Sequence, residues 1–135
     1  MSVAPVVRYM IVCDDWGINA ADETRIDIHG LVTYIVAAGA LPYPVTLSGL
    51  CLILVLAELR GSGFGHVRCV FEQTGELIFE TPNFDVRGTS DVLDVLVFPI
   101  RIVECAFPRR GIYSVQFWYN EAIVHEIPLH VRDQP

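Results

Sequence analysis

Lysine is missing from this sequence: all nine basic residues are arginines, set against sixteen acidic residues for a net charge of -7. The arginines stand singly except for Arg109-Arg110. No basic stripe exists to neutralise a phosphate backbone, which argues against nucleic-acid binding. Long hydrophobic runs are missing too. The longest, Leu50 to Ala57, is closed by Glu58 and Arg60 and falls far short of the ~20 residues a membrane helix needs, so no membrane partner is expected. The first residues, Met1-Ser2-Val3-Ala4-Pro5, lack the basic and apolar regions of a secretory signal, which points to a cytoplasmic protein. The four cysteines, Cys13, Cys51, Cys69 and Cys105, contain no C-x-x-C pair and sit inside apolar runs. They are expected to be reduced, buried thiols that pack as small hydrophobes.

Catalytic groupings are equally scarce. No G-x-S-x-G elbow presents a nucleophile. Gly61-Ser62-Gly63-Phe64-Gly65 resembles a phosphate-binding loop but lacks the lysine and the helix such a loop requires, and it reads as a flexible connection between strands. The histidines fail a metal test. His125 and His130 are an odd number of positions apart, so a regular strand points them to opposite faces unless Pro128 bulges it, and His29 with Asp27 supplies at best half a site. No cofactor and no metal are expected.

What the sequence does contain is a succession of short apolar runs rich in Val, Ile, Leu, Phe and Tyr, separated by Gly, Pro, Asn and Asp. This pattern predicts an all-β fold of seven or more strands in one domain over residues 1–135. Strands are expected near Val6–Cys13, Arg25–Val36, Leu50–Leu59, His66–Glu72, Glu76–Thr81, Leu93–Glu104, Tyr113–Tyr119 and Ile123–Val131, with helix as the minor reading for Leu47–Leu59. Two hairpins stand out. In the first, Gly75 supplies the positive φ that a type I turn plus bulge demands, setting Phe71 opposite Leu77, Cys69 opposite Phe79, and Arg68 opposite Glu80 on the other face. The second joins Tyr119 to Ile123 through Asn120-Glu121, where glutamate suits a positive φ poorly. Alternation in Arg25–His29 hides Ile26 and Ile28 and leads to a bulge or bend at Gly30. Pro128 restricts the last strand to an edge or a bulge. Phe71, Phe79, Val115 and Phe117 are expected in the core.

Arg8 to Asp15, Arg60-Gly61-Ser62-Gly63, Thr74-Gly75-Glu76 and above all Gly111-Ile112-Tyr113-Ser114-Val115-Gln116-Phe117-Trp118-Tyr119-Asn120 resemble a family of small bacterial single-domain proteins of unknown function, and the resemblance spans nearly the whole chain. The Gly-x-Tyr-x-x-x-Phe segment is also similar to the penultimate strand of immunoglobulin-like domains, where a tyrosine anchors a corner. The resemblance implies an antiparallel two-layer immunoglobulin-like sandwich and carries no catalytic residues with it.

By elimination the sequence favours a non-enzymatic protein-interaction module with an unidentified protein partner. Two alternatives stand beside it: a small enzyme or ligand-binding protein with a loop-built acidic site, and a phage or particle structural component. The candidate contact surface is the segment from Asp14 to Glu23, read as a loop, in which Asp14, Asp15, Asp22 and Glu23 surround Trp16. The open edges of a sandwich leave room for a homo-oligomer joined through a sheet edge.

Overall fold

The computed structural model describes residues 3–39, 42–89, 91 and 93–134. Among them are twelve β-strands and no helix, so the all-β reading holds and the helical alternative for Leu47–Leu59 does not. One sheet runs in the order β2 (Ile26–Leu31), β1 (Val6–Ile18), β5 (Leu50–Ala57), β9 (Leu96–Ile102), antiparallel throughout. A second runs β3 (Tyr34–Ala37), β12 (Ala122–Asp133), β11 (Gly111–Tyr119), β6 (Ser62–Phe71), β7 (Leu77–Glu80), with β8 (Phe84–Arg87) also paired to β6. It is antiparallel except where β3 runs parallel to β12. β4 (Val45–Leu47) and β10 (Cys105–Phe107) form a small third pair.

The two large sheets share one core. Leu50, Leu52, Leu54 and Leu56 from β5 pack with Val67, Cys69 and Phe71 from β6, Tyr113, Val115 and Phe117 from β11, and Leu129 and Val131 from β12. Each fully buried leucine of β5 contributes about 1.5–3 kcal/mol by leaving water. The alternate residues of β5 are buried as well. Cys51 and Ile53 join Cys13 of β1 in a second cluster, bordered by Ile11, Trp16 and Val55. Burial on both faces is why Leu50–Ala57 reads as a continuous apolar run rather than an alternating one.

All four cysteines are free and buried. Three of the expected core residues, Phe71, Val115 and Phe117, are buried, whereas Phe79 is half-buried against the core. Tyr113 anchors its corner: its hydroxyl donates to the Arg109 carbonyl at 2.5 Å and accepts from the Arg109 N–H at 3.2 Å. At Pro128 the register between β11 and β12 is unbroken, and β3 pairs with β12 only from His130 onward, so the proline sits on an edge.

Several sequence expectations need correction. The run Arg25–Val36 divides into β2 and β3, which belong to different sheets. Ile28 is exposed rather than hidden, because β2 is the outermost strand of its sheet. Gly30 does break the regularity, with φ of 68°, and the Asp14 side chain lies where its Cβ would be. Gly61–Gly65 is no flexible connection, since β6 begins at Ser62 and pairs with β8. Its glycines let aromatic rings lie against the backbone: a Cβ on Gly65 would come within 2.8 Å of Phe117. In the first hairpin Arg68–Glu80 and Cys69–Phe79 pair as expected, but Leu77 faces Val70 instead of Phe71 because a bulge shifts the register after Cys69. The short strands β4, β8 and β10 have no counterpart in the sequence reading.

Candidate functional site

β6 alternates buried and half-buried residues along most of its length, and what it and β11 turn away from the core is distinctive. Val67, Cys69 and Phe71 point inward, while His66, Arg68 and Val70 lie on the outer face beside Trp118, Gln116 and Ser114 of β11. Cross-strand pairing sets His66 directly opposite Trp118 and Arg68 opposite Gln116. The His66 and Trp118 rings stack with centroids 5.7 Å apart and planes 16° from parallel. The Arg68 guanidinium lies 4.9 Å from the Trp118 centroid, a cation–π contact.

The same guanidinium is held from the other side by Glu80 of β7, through Nη2 at 2.6 Å and Nε at 2.7 Å to one carboxylate oxygen. His66 Nε2 lies 3.9 Å from that oxygen. Beyond Trp118 the hydrogen bonds continue across the sheet. The indole N–H donates to Gln116 Oε1 at 2.9 Å, Gln116 Nε2 donates to Ser114 Oγ at 3.4 Å, and Ser114 Oγ donates to Glu126 at 3.0 Å. A chain of oriented polar groups therefore runs from β7 to β12. Ser114 and Gln116 are buried, at 8% exposure each, although they face outward. Their neighbours on the face cover them.

A shallow groove of about 390 Å³ opens at one end of this face, lined by Phe64, His66, Asn83, Asn120 and Glu121. Its rim is fixed by the β11–β12 hairpin, whose Tyr119 pairs with Ala122 across a two-residue turn. Both turn residues take positive φ, 47° at Asn120 and 67° at Glu121, the type I′ geometry that suits strand twist. Asparagine adopts that region readily and glutamate does so under strain. Asn120 ties the turn to β6: its Oδ1 accepts from the Phe64 N–H at 3.0 Å, and its own N–H donates to the Phe64 carbonyl at 2.9 Å. Phe64 itself is 58% exposed over the groove.

The acidic segment proposed from sequence has a different form from the one expected. Asp14, Asp15 and Trp16 belong to strand β1, which runs to Ile18, so only Asp22 and Glu23 lie in a loop. The strand continues because β2 pairs with it residue by residue, Asp15 to His29 and Trp16 to Ile28. Asp15 and Trp16 are brought together through Arg101 of β9. Its Nη1 lies 2.7 Å from Asp15 Oδ1 and its guanidinium 5.4 Å from the Trp16 ring centroid. The Trp16 N–H and Arg101 both bond the Asp15 carboxylate and hold its pKa below the ordinary value. Trp16 is half-buried against Cys13, Cys51 and Ile53, and its indole Nε1 is buried without a hydrogen-bond partner among the described residues. Asp14 lies over Gly30. Asp22 is engaged by Thr24, which lowers its pKa, and by Arg25 at 3.3 Å. The five residues do not converge on one point.

Sequence reasoning missed the Trp118 face. Its residues were legible as strand, but the lateral order β7, β6, β11, β12 that unites them joins segments up to some sixty positions apart. Among the described residues no group of three or more His, Cys, Asp or Glu is placed to hold a metal ion. No helix among the described residues is long and apolar enough to cross a membrane. In comparison with known proteins, the chain matches no family model and no curated protein.

Proposed function

We propose that this protein is a non-enzymatic protein-interaction module, built as an immunoglobulin-like sandwich, whose contact surface is the outer face of the second sheet around Trp118. The observation that carries the reading is the ordered row Glu80, Arg68, His66, Trp118, Gln116 on rigid strands. Tryptophan and arginine are the residues most enriched in binding hot spots, and here both are held in position before any partner arrives, which lowers the entropy cost of association. The open groove suits a protein surface better than an enclosed small molecule.

Three features support the immunoglobulin-like form. These are the two sheets β2-β1-β5-β9 and β3-β12-β11-β6-β7 around a shared core, the parallel β3–β12 edge, and the Tyr113 corner. The reading retains the resemblance to small bacterial proteins carried by Gly111 to Asn120, and a cytoplasmic setting in keeping with four free thiols.

Quantitative affinity capture from the host tests the proposal, using the parent chain and the variants Trp118→Ala, Glu121→Arg and Trp16→Ala. Glu121 is exposed, so its charge reversal leaves the core intact. A protein captured by the parent and by Trp16→Ala, but depleted about tenfold or more with Trp118→Ala and Glu121→Arg, is the expected result. Identical capture by all four chains would refute the contact surface.

A further inference from the structure

The sheet that does not carry Trp118 ends in an unusual edge. Natural sheets blunt their edges with proline, bulges or short strands, and most edges of this fold are blunted so. β9 carries Pro99 in its middle. The open part of β12 carries Pro128 and the bulge at Val124, where Phe117 pairs with His125 and Trp118 with Ile123. β3, β7 and β8 have four residues each, and β4 and β10 have three. β2 is different. It has six residues, Ile26–Leu31, contains no proline, and pairs with β1 alone among the described residues. Ile28 and Leu31 are 40% and 65% exposed on it.

We propose that β2 is a self-pairing edge: two copies of the chain join antiparallel along β2, about a two-fold axis at Ile28, and their four-stranded sheets become one continuous sheet. The register follows from charge. Directly opposed residues in an antiparallel pair share a face, so a strand that meets its own copy pairs residues of equal parity, and the axis falls on a residue. An axis at Asp27 sets the two Asp27 carboxylates against each other. An axis at His29 opposes the two imidazoles and leaves Asp27 facing Leu31. An axis at Ile28 pairs Asp27 with His29 twice and covers each exposed Ile28 with the other. Within each copy His29 also stands beside Asp15 of β1, so it faces a carboxylate on either side. This surface lies in the other sheet from Trp118, and its test is independent of partner capture.

Sedimentation velocity of the full chain from about 1 to about 100 µM measures the association. The parent is expected to pass from a 15.1 kDa monomer to a dimer over this range. His29→Asp sets a pair of carboxylates against each other twice, and Asp27→His replaces both Asp27–His29 contacts by pairs of imidazoles; each is expected to weaken the dimer about tenfold, while the double exchange D27H/H29D restores it to within about threefold. Ile28→Cys supplies a readout that does not depend on those variants folding well. Two such thiols face each other across the axis and are expected to form an intermolecular disulfide with a mild oxidant such as oxidised glutathione, whereas Arg25→Cys, opposite Leu31, does not. A parent chain that stays monomeric at the highest concentration overturns the proposal. So does a dimer indifferent to the charge exchange, or the absence of cross-linking at position 28.

Discussion

At the scale of single residues, this chain places polar and reactive groups where their surroundings restrain them. Trp16 and Trp118 both stand on β-strands, yet one closes a cysteine cluster and the other is the centre of a polar network. Neither role is visible in the sequence, because a tryptophan's partners come from other strands. The thiols are the clearest case of restraint. Burial raises the pKa of Cys69 to about 12 and that of Cys105 to about 11, from an ordinary value of 9.0. The folded chain thus keeps protons that the unfolded chain releases above pH 9. Their contribution is fully present below that pH and is lost as pH rises from 9 toward 11 and 12, with a slope of at most about 1.4 kcal/mol per pH unit for each thiol. Urea unfolding between pH 8 and 10.5 is expected to show this decline, and the variant C69A/C105A is expected to start less stable but decline less steeply. A parallel decline in both chains would show that other groups govern the alkaline limb.

At the scale of elements, the sequence was legible where information is local and obscure where it is lateral. Gly75, at φ of 76°, closes its turn as read from Thr74-Gly75, and the Arg68–Glu80 and Cys69–Phe79 pairs follow from counting outward from it. The bulge that moves Leu77 to Val70 shifts the pairing register after Cys69, which counting outward from the turn does not reveal. The same limit explains the acidic segment. Asp14, Asp15 and Trp16 read as a loop because their composition is polar, but pairing with β2 overrides local propensity and extends β1 to Ile18. β4, β8 and β10 are too short to leave a period. The β11–β12 hairpin shows a local rule broken at a candidate site, with Glu121 held at φ of 67° on the rim of the groove. Glu121→Gly removes that strain and is expected to raise the stability by about 0.5–1 kcal/mol in urea unfolding, while the rim loses a charge. A destabilised variant would mean that the Glu121 side chain contributes more to the fold than its backbone costs.

At the scale of the whole molecule, two sheets share one core and divide the exterior between them. The first sheet presents the free β2 edge and the Trp16 cluster, and the second presents the Trp118 row. The fold class, the buried thiols and most of the core could be read from alternation and composition. The division of surfaces could not, since it depends on strand order. The central claim is that a partner docks on the Trp118 face and not on the segment from Asp14 to Glu23. Hydroxyl-radical footprinting of the captured complex, read by mass spectrometry against the free chain, decides between the two most directly. Oxidation of Phe64, His66 and Trp118 is expected to fall several-fold in the complex while that of Trp16 stays unchanged; protection of Trp16 with Phe64 and Trp118 unaffected would contradict the account.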